Sequence, residues 1–393
     1  MTWKKDIFNN FIKLNRGFDL PEKDIVSGKF PVVASAAIKA YHHNYKVEPP
    51  CVVTGRSGSL GKVQYVTSRC WPLNTTLYVK DYKGNFPRFV HYFLETMHLE
   101  NFNSGAGVPT LNQNHLHKLK ITIPSLPEQK QIAAILSAYD DLIENNNRRI
   151  TILEKMTEEL YREWFVRLRF PGHEKVKIAK GVPEGWEVKQ ITQIYRTSSG
   201  GTPSREKSEY YGGSIPWVKT GELKNTFLIK TEEQITENAL ENSSAKIFPK
   251  HTIILAMYCA MGELSILSLD AATNQACCAF LPKYDYLSYP FSYHLIRNVR
   301  QSLINLSFGA AQQNLSQEII KKFKILVPPK ELINKFSEVV LPVFKTIENF
   351  YTQNDRLKIF RDRLLSRLMS GKIDVEDMDI QFPASMQEEL VHA

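Results

Sequence analysis

The residues best suited to chemistry are polar and basic side chains gathered in glycine-rich or amide-rich stretches. In the first half, the glycine-rich turn 54–62 also carries Arg56, Ser57, Ser59 and Lys62. Such a turn lets backbone N–H groups approach a phosphate closely, and the cations supply charge. A tight hairpin with incidental cations is an alternative that the residues leave open. The glycine spacing fits neither the dinucleotide fingerprint nor the P-loop, so we expect no nucleotide cofactor there.

Further candidates share the ability to donate or accept hydrogen bonds or to carry positive charge, as the reading of bases and phosphates requires. In the first half they are Ser35, Lys39, Tyr41, His42 and His43. In the second half they are Ser198, Ser199, Thr202, Arg205, Lys219, Thr220, Tyr258, Gln312 and Gln313. The amides among them can pair bidentately with adenine. For each single residue, a surface turn or a strand cap explains the position equally well.

The sequence offers no set of residues that would form a catalytic centre. An adenine methyltransferase would carry Asn or Asp, two prolines and an aromatic residue, whereas 48–51 and 327–330 read Glu-Pro-Pro-Cys and Val-Pro-Pro-Lys. Glu128 and Lys130 have the spacing of a nuclease motif, but they open a predicted helix and lack an aspartate partner. The five cysteines have neither zinc-site nor disulfide spacing. We expect no catalysis and no metal.

Composition points weakly to a polyanionic partner. The 393 residues include 50 Lys and Arg against 41 Asp and Glu, a formal net charge of +9, and many basic proteins bind no nucleic acid. The N-terminus lacks the apolar stretch of a signal peptide. The best apolar run, 252–261, is too short to span a bilayer. We therefore expect a cytoplasmic protein with reduced thiols and no contact with a membrane.

Parts of the sequence occur twice. Leu111-Asn112-Gln113 and Leu315-Ser316-Gln317 each precede a strand-like run that ends in proline, at a shift of 204 residues without a gap. Upstream, 52–61 resembles 253–262 at a shift of 200 or 201. An internal repeat of this kind indicates that each half has the same fold.

Within each half, apolar or β-branched runs bounded by Gly, Pro and Asn predict strands, at 51–54, 64–66, 76–80, 252–257, 276–281 and 323–327. The stretches 89–97 and 292–306 are typical of helices.

Each half ends in a much longer predicted helix. The first begins near Pro127 and continues to Phe165 without Pro or Gly, and the second runs from about Pro329 to a stop at Ser370-Gly371. Apolar residues alternate at spacings of three and four, as in a coiled coil. In the first helix they are Ile132, Leu136, Tyr139, Ile143, Ile150, Leu153, Leu160 and Trp164. In the second they are Phe336, Val340, Val343, Ile347, Phe350, Leu357, Leu364 and Leu368. Ordinary core helices are the alternative, but these are far longer than usual.

The polar residue in the middle of each seam predicts how the helices pair. A pseudo-twofold axis would place them antiparallel, so that if Ile132 meets Leu368, Asn146 meets Asn354. Ile150 and Phe350 belong to the same set of pairing residues. A buried amide pair would fix the register at a cost in stability.

These observations predict an α+β protein with two mixed α/β domains, joined by two long antiparallel coiled-coil helices and related by an internal pseudo-twofold repeat. We expect a first domain at 1–125 and a first long helix at 126–166. A second domain should follow at 167–328, a second long helix at 329–371 and a C-terminal tail at 372–393.

At this point the sequence resembles the specificity subunits of type I restriction-modification systems over nearly its whole length. Leu-Pro-Glu-Gln-Lys-Gln-Ile opens the first helix at 126–132, and Ile-Pro-Trp-Val-Lys-Thr-Gly-Glu-Leu lies at 215–223 in the second half. The remaining motifs typical of the family, or of one subtype, are 18–21, 30–35, 163–166, 169–172 and 182–186. Their order and spacing make the resemblance specific.

The resemblance implies a non-catalytic chain whose two target-recognition domains each read one half of a split asymmetric site in double-stranded DNA. The long helices would set the unread gap. Two modification subunits, which bind S-adenosylmethionine and methylate adenine at N6, would be partners, and two restriction subunits using ATP and Mg can join them. The chain itself would bind no cofactor. The second helix opens with Pro-Pro-Lys-Glu at 328–331 where the first has Pro-Ser-Leu-Pro at 124–127, so it can meet its modification subunit less symmetrically.

Three alternatives stay open. The chain could serve a methylation-only or type II-like system, which a modification gene without a restriction gene nearby would favour. It could be a coiled-coil adaptor whose domains bind proteins, which partner assembly without sequence-specific DNA binding would favour. A stand-alone enzyme is disfavoured by the missing motifs, and turnover by the purified chain would favour it.

Overall fold

The computed structural model describes residues 3–105, 107–307 and 314–391. The chain divides into two compact units: Met1–Glu144 with Arg356–Ala393, and Asn145–Asp355. Both divisions fall inside the long helices. Each unit therefore combines one globular domain with part of the helix pair, and the architecture is the α+β one that the sequence predicts. The first compact unit joins the predicted first domain to the predicted C-terminal tail and to parts of both long helices, which the predicted domain boundaries keep separate.

The α-helices range from single turns to the two long spacer helices. They are α1 (Phe8–Phe11), α2 (Pro87–Thr96), α3 (Gln113–Leu116), α4 (Leu126–Tyr161), α5 (Ile191–Ile194), α6 (Glu237–Glu241), α7 (Tyr289–Ser307), α8 (Gln317–Lys322), α9 (Lys330–Met369) and α10 (Ala384–Val391). A π-helical turn, Arg162–Val166, continues α4. At 1.5 Å per residue, α4 and α9 are about 54 and 60 Å long.

Nine strands lie in the described residues of the first unit. They are β1 (Lys4–Ile7), β2 (Lys13–Arg16), β3 (Phe30–Val33), β4 (Ile38–His42), β5 (Cys51–Gly55), β6 (Val63–Val66), β7 (Trp71–Pro72), β8 (Thr76–Asp81) and β9 (Lys120–Ile123). An antiparallel sheet has the order β2-β8-β5-β6, and a smaller sheet has the order β4-β3-β7 with β3 and β7 parallel. β1 pairs with β9.

The second unit contains thirteen strands in its described residues. They are β10 (Ile178–Ala179), β11 (Val182–Pro183), β12 (Glu187–Gln190), β13 (Tyr195–Ser199), β14 (Tyr211–Val218), β15 (Phe227–Leu228), β16 (Glu233–Ile235), β17 (Ile247–Phe248), β18 (Ile253–Ala256), β19 (Leu264–Leu267), β20 (Ala271–Thr273), β21 (Cys277–Pro282) and β22 (Lys324–Val327). The larger sheet has the order β13-β21-β18-β19-β15, and the smaller has the order β16-β14-β20-β17.

The two units share one topology. β2-β8-β5-β6 corresponds to β13-β21-β18-β19, β4-β3-β7 to β16-β14-β20, and the pair β1–β9 to β12–β22. The repeat therefore begins earlier than the sequence shows. Lys4 corresponds to Glu187, a shift of 183 residues, against 200–204 farther along the chain. The second unit has gained residues between these regions, and the added strands β15 and β17 lie there.

Local sequence explains where the long helices begin and end. Ser125 and Glu128 form a reciprocal cap at the start of α4: the Ser125 N–H donates to Glu128 Oε2 at 2.9 Å, and the Glu128 N–H to Ser125 Oγ at 3.5 Å. Glu128 therefore starts a helix, as predicted, and is not part of a nuclease site. α9 stops where Gly371 adopts a φ of +69°. The Lys372 N–H then donates to the Arg367 carbonyl at 3.0 Å.

In the first unit, the N-terminal part of α4 packs with the C-terminal part of α9. Ile132, Leu136 and Leu368 are buried in one core with residues of the globular domain. Arg361 Nη1 donates to Asp140 Oδ1 at 2.6 Å. The residues that meet run in opposite directions along the chain, so the helices are antiparallel there.

The second unit contains the amide pair that the seam predicts. Asn146 Nδ2 donates to Asn354 Oδ1 at 3.0 Å, and Asn354 Nδ2 donates to Asn147 Oδ1 at 2.8 Å. Asn146 and Asn354 are 7% and 5% exposed, and Ile150 beside them is buried. Phe350 packs against the same core. Because both polar atoms of the Asn354 amide have partners, one from Asn146 and one from Asn147, this amide can be buried in the seam.

The C-terminal tail is part of the first unit. Val375 and Met386 are fully buried in its core. Arg88 Nη2 donates to the Ser385 carbonyl at 3.0 Å, and Gln131 Nε2 donates to the Met378 carbonyl at 3.4 Å. Residues that the sequence analysis set apart as a tail thus complete the core around α2 and the start of α4.

Candidate nucleic-acid interface

In the first unit, the glycine-rich turn joins β5 to β6 and is held by its backbone. The Arg56 N–H donates to the Thr75 carbonyl at 2.8 Å, and the Leu111 N–H donates to the Arg56 carbonyl at 2.8 Å. A Cβ on Gly55 would lie 1.8 Å from the Ser59 carbonyl oxygen. Glycine is therefore required at this position, and the turn is a tight hairpin, as the alternative reading proposed. Its exposed face carries Ser59 and Lys62.

Two predicted contact residues of the first unit are buried, and we revise their role. Ser35 Oγ lies 2.9 Å from the carbonyl oxygens of Ser57 and Thr75, so it fastens the hairpin from inside. His42 accepts a hydrogen bond from the Val26 N–H at 3.0 Å and packs edge-on against Trp71. Ser35 and His42 are only 8% and 4% exposed. They therefore hold the surface residues in place from inside and are not themselves part of the surface.

The other predicted residues of the first unit lie at the surface. Tyr41 is 54% exposed, and Lys39 and His43 are also exposed on or beside β4. Lys39 pairs with Glu22. Arg56 Nη1 donates to the Asn74 carbonyl at 3.2 Å. These groups can meet phosphates or bases, although β4 and the hairpin belong to different sheets.

In the second unit, the turn between β18 and β19 repeats the anchoring of the first. The Met257 N–H donates to the Ala276 carbonyl at 2.8 Å, and the Leu315 N–H donates to the Met257 carbonyl at 3.1 Å. Met257 thus occupies the place of Arg56. The next residue, Tyr258, occupies the place of Ser57, as the repeat predicts.

A cluster of polar side chains surrounds this turn. Thr202 Oγ1 donates to Gln275 Oε1, and Gln317 Nε2 donates to Ser199 Oγ. Burial raises the pKa of Tyr258 at the same turn. The sequence analysis did not select Gln275 or Gln317. Gln317 could have been selected from the sequence, because it ends the repeated motif in which Gln113 holds the same place.

Arg205 and Lys219, both predicted contacts, share one carboxylate. Arg205 Nη1 donates to Glu233 Oε2 at 2.7 Å, and Lys219 Nζ donates to Glu233 Oε1 at 2.9 Å. Hydrogen bonds from Arg205 and then Lys219 lower the pKa of Glu233, so the carboxylate stays charged. Lys219 Nζ also donates to Glu232 Oε2 at 2.9 Å. No motif or residue spacing pointed to this acidic pair.

The remaining candidates have simpler positions. Thr220 is 6% exposed, so it supports the surface from inside. Ser198 is half-buried on β13. Gln312 and Gln313 lie outside the described residues.

The described ranges offer no group of three or more His, Cys, Asp or Glu side chains that could hold a metal ion. Four of the five cysteines are buried and unpaired, and Cys259 is exposed. Burial raises the pKa of Cys278 to about 12, so this thiol stays protonated. Across residues 3–105, 107–307 and 314–391, no helix has the length and apolar content needed to cross a membrane.

The chain holds two domains of one topology, and each domain is joined to the long helices. Each domain also presents polar loops beside a basic turn or network. This is the architecture of a protein with two similar binding domains. The sequence model described as "Type I restriction modification DNA specificity domain" matches residues 3–155 and 183–358. The chain therefore belongs to this family, whose members are the non-catalytic, DNA-recognising components of type I restriction systems.

Named relatives and a solved structure agree with this assignment. The chain is 29% identical over 310 residues to the type I restriction enzyme MjaIX specificity subunit of Methanocaldococcus jannaschii, covering 75% of this chain and 71% of that protein. It is 26% identical over 329 residues to the HindI specificity subunit of Haemophilus influenzae, covering 67% and 71%. The crystal structure of the S subunit from M. genitalium superimposes with a TM-score of 0.61 at 16% identity, over 93% of this chain and 96% of that one. The last comparison establishes the shared fold.

Proposed function

We propose that the chain is a DNA sequence-specificity subunit that reads a split asymmetric site, one half-site per recognition domain. The observation that carries this is the equivalent anchoring of the Arg56 and Met257 turns by the same pattern of backbone hydrogen bonds. Two copies of one rigid scaffold carry different side chains at the same place. Such a pair of surfaces suits two unlike half-sites, because base edges are distinguished by the donors and acceptors that face them.

Its partners are two modification subunits that methylate adenine at N6 with S-adenosylmethionine and, where the system includes them, two restriction subunits that use ATP and Mg. The chain itself holds no cofactor and works in the cytoplasm. The paired helices α4 and α9 set the number of unread base pairs between the half-sites, with the amide layer of Asn146 and Asn354 fixing the register.

The test is a genome-wide map of N6-methyladenine in the source cells with the gene intact, deleted and restored. We expect one split motif to lose methylation on both strands on deletion and to regain it on restoration. Purified chain assembled with its modification subunit should bind the same motif in competition with unrelated DNA.

An unchanged methylome in cells that express the modification subunit would contradict the proposal. Assembly of the partners without sequence-specific DNA binding would favour the protein-binding adaptor. Loss of methylation without a restriction subunit in the cell would identify a methylation-only system.

A further inference from the structure

One arginine of the second unit is held in a fixed pose at the surface. The Arg205 guanidinium carbon lies 4.3 Å from the ring centroid of Tyr211 and 5.2 Å from that of Trp217. Its Nη1 donates to Glu233 Oε2 at 2.7 Å. Tyr211 and Trp217 lie on β14 and Glu233 on β16, which are adjacent strands of one sheet. Two rings and a carboxylate on a rigid scaffold therefore restrict a side chain that is ordinarily free to rotate.

The carboxylate that holds this arginine is itself held. Lys219 Nζ donates to the other oxygen, Glu233 Oε1, at 2.9 Å, and also to Glu232. Each oxygen of Glu233 thus has its own cation. The Glu233 side chain has 30% of its surface exposed and that of Glu232 has 70%. The more buried of the two carboxylates, Glu233, is therefore the one that contacts Arg205.

The arginine keeps donors for a ligand. A guanidinium has five N–H donors, and only the bond to Glu233 is seen among the described residues. Its side chain is 53% exposed. A planar fork already fixed in orientation loses less freedom when it binds a planar partner with two acceptors. Lysine, by contrast, is a point charge without a fork.

The position of Arg205 links it to the polar loops of the second unit. Trp217 Nε1 donates to the Gly201 carbonyl at 3.1 Å, which ties the loop that leads to Arg205 to the same sheet. Thr202, in that loop, bonds Gln275 beside the β18–β19 turn.

The first unit carries a smaller group of this kind. The Arg69 guanidinium lies 4.8 Å from the ring centroid of Tyr45, and its Nε donates to Glu48 Oε2 at 2.9 Å. No second ring over that arginine and no second cation on that carboxylate are seen among the described residues.

We propose that Arg205 reads a guanine in the half-site recognised by the second unit, and that Glu233 acts as its positioning residue. Guanine presents O6 and N7 in the major groove as the two acceptors that an arginine fork matches. The inference rests on the proposed function, because it assigns one base of the split site.

The experiment uses the chain assembled with its modification subunits and a duplex library randomised across the second half-site. The change Arg205→Lys keeps the charge and removes the fork, and should relax one guanine position about 10–100-fold while other positions keep their preference. Glu233→Gln should relax the same position by a smaller factor. The matched controls are Arg167→Lys and Glu163→Gln, which alter another exposed arginine–glutamate pair of the same unit and should leave the motif unchanged.

Each outcome decides the inference. In the charge-removing variant Arg205→Gln, equal loss of binding to all sequences with a smaller salt dependence would show a phosphate contact and overturn the inference. An unchanged preference with Arg205→Lys would show a structural cation, and relaxation by Glu233→Gln at several positions would show general loosening of the fold. Thermal unfolding of each complex verifies folding. A wild-type complex with no sequence preference would instead defeat the proposed function, and this assignment with it.

Discussion

The two units hold their recognition surfaces by the same backbone bonds but fill them with different side chains. In the first, the Arg56 hairpin is tied from inside by Ser35, and its cations reach outward from separate positions. In the second, Arg205, Lys219 and Glu233 form one network beside an amide cluster. The backbone pattern is what the repeat preserves, so the scaffold and the specificity of each domain can change independently.

The segment that follows each long helix offers the strongest way to test this equivalence. After α4, the chain contributes Phe170 and Trp186 to the core of the second unit. After α9, the tail contributes Val375 and Met386 to the core of the first. The two segments thus have equivalent places after the long helices, and each adds buried side chains to the core of one unit.

We predict that Met386→Ala destabilises the first unit by about 2–5 kcal/mol, because a fully buried side chain leaves a cavity. Calorimetry or denaturant unfolding with a fluorescence probe in each unit would measure it. Met378→Ala is the control, since Met378 is 45% exposed, and should cost little. A loss as small as the control's would mean that the tail does not support the first unit.

Each unit buries a histidine beside its long helices, and burial lowers the pKa of His91 in the first unit to about 4 and that of His294 in the second to about 3. In the first, the Tyr92 hydroxyl donates to Asp140 Oδ2 at 2.6 Å. In the second, His294 stacks on Tyr161 and contacts Phe336 and Phe344. Burial, with a smaller contribution from Arg297, lowers the pKa of His294 to about 3.

Because the folded pKa of His294 lies below its unfolded value of about 6.5, the unfolded chain binds the extra proton as pH falls. Stability that is present above pH 6.5 is therefore lost progressively between pH 6.5 and about 3, by roughly 3 kcal/mol at pH 4. His294→Phe should remove this part of the pH dependence of unfolding. An equally steep acid transition in the variant would exclude His294 as its source.

The helix pair differs between the units as well. In the first, Asp140 and Arg361 join the helices by charge, and in the second Asn146 and Asn354 join them by amides. Asn146→Ala should cost about 1–3 kcal/mol, because it leaves the buried Asn354 amide short of a partner. Changing both residues to leucine should restore or raise the free energy of unfolding while weakening the fixed register. Equal destabilisation by the single and double changes would show that the amides do not act as a pair.

The sequence predicted the features that depend on periodicity and on repeated apolar runs. The strands β5, β6, β8, β18, β21 and β22 lie within a few residues of their predicted bounds, as do α2, α7 and the long helices, and the amide layer followed from the seam. The strands β2, β13, β15 and β19 of the larger sheets were not predicted. The smaller sheets, with β3, β4, β14 and β16, were missed because their strands are irregular. Two glycines and a proline lie within the eight residues of β14, and bulges interrupt the pairing of β3 with β4 and of β14 with β16.

The site was less accessible to sequence reasoning. The burial of Ser35, His42 and Thr220 depends on tertiary packing that residue type does not encode. Glu233 lies 28 residues from Arg205 in the chain, and no local spacing connects them. Charge and hydrogen-bonding capacity selected the correct kinds of residue, but only the fold separates those that face outward from those that hold the surface in place.

Arg56 offers the finest test of the difference between the two recognition surfaces. Its guanidinium is bound to one backbone carbonyl and has no aromatic platform or carboxylate partner among the described residues. We expect Arg56→Ala to weaken specific binding by about 1–3 kcal/mol if the side chain reads a base, and to weaken all sequences alike if it meets a phosphate. Titration of specific and unrelated duplexes at several salt concentrations separates the two. Lys4→Ala, which removes an exposed cation paired with Asp6 on β1 of the same unit, is the control. Unchanged affinity and salt dependence would remove Arg56 from the interface. A uniform loss would mean that the first unit uses this cation for position, whereas the second uses Arg205 for sequence.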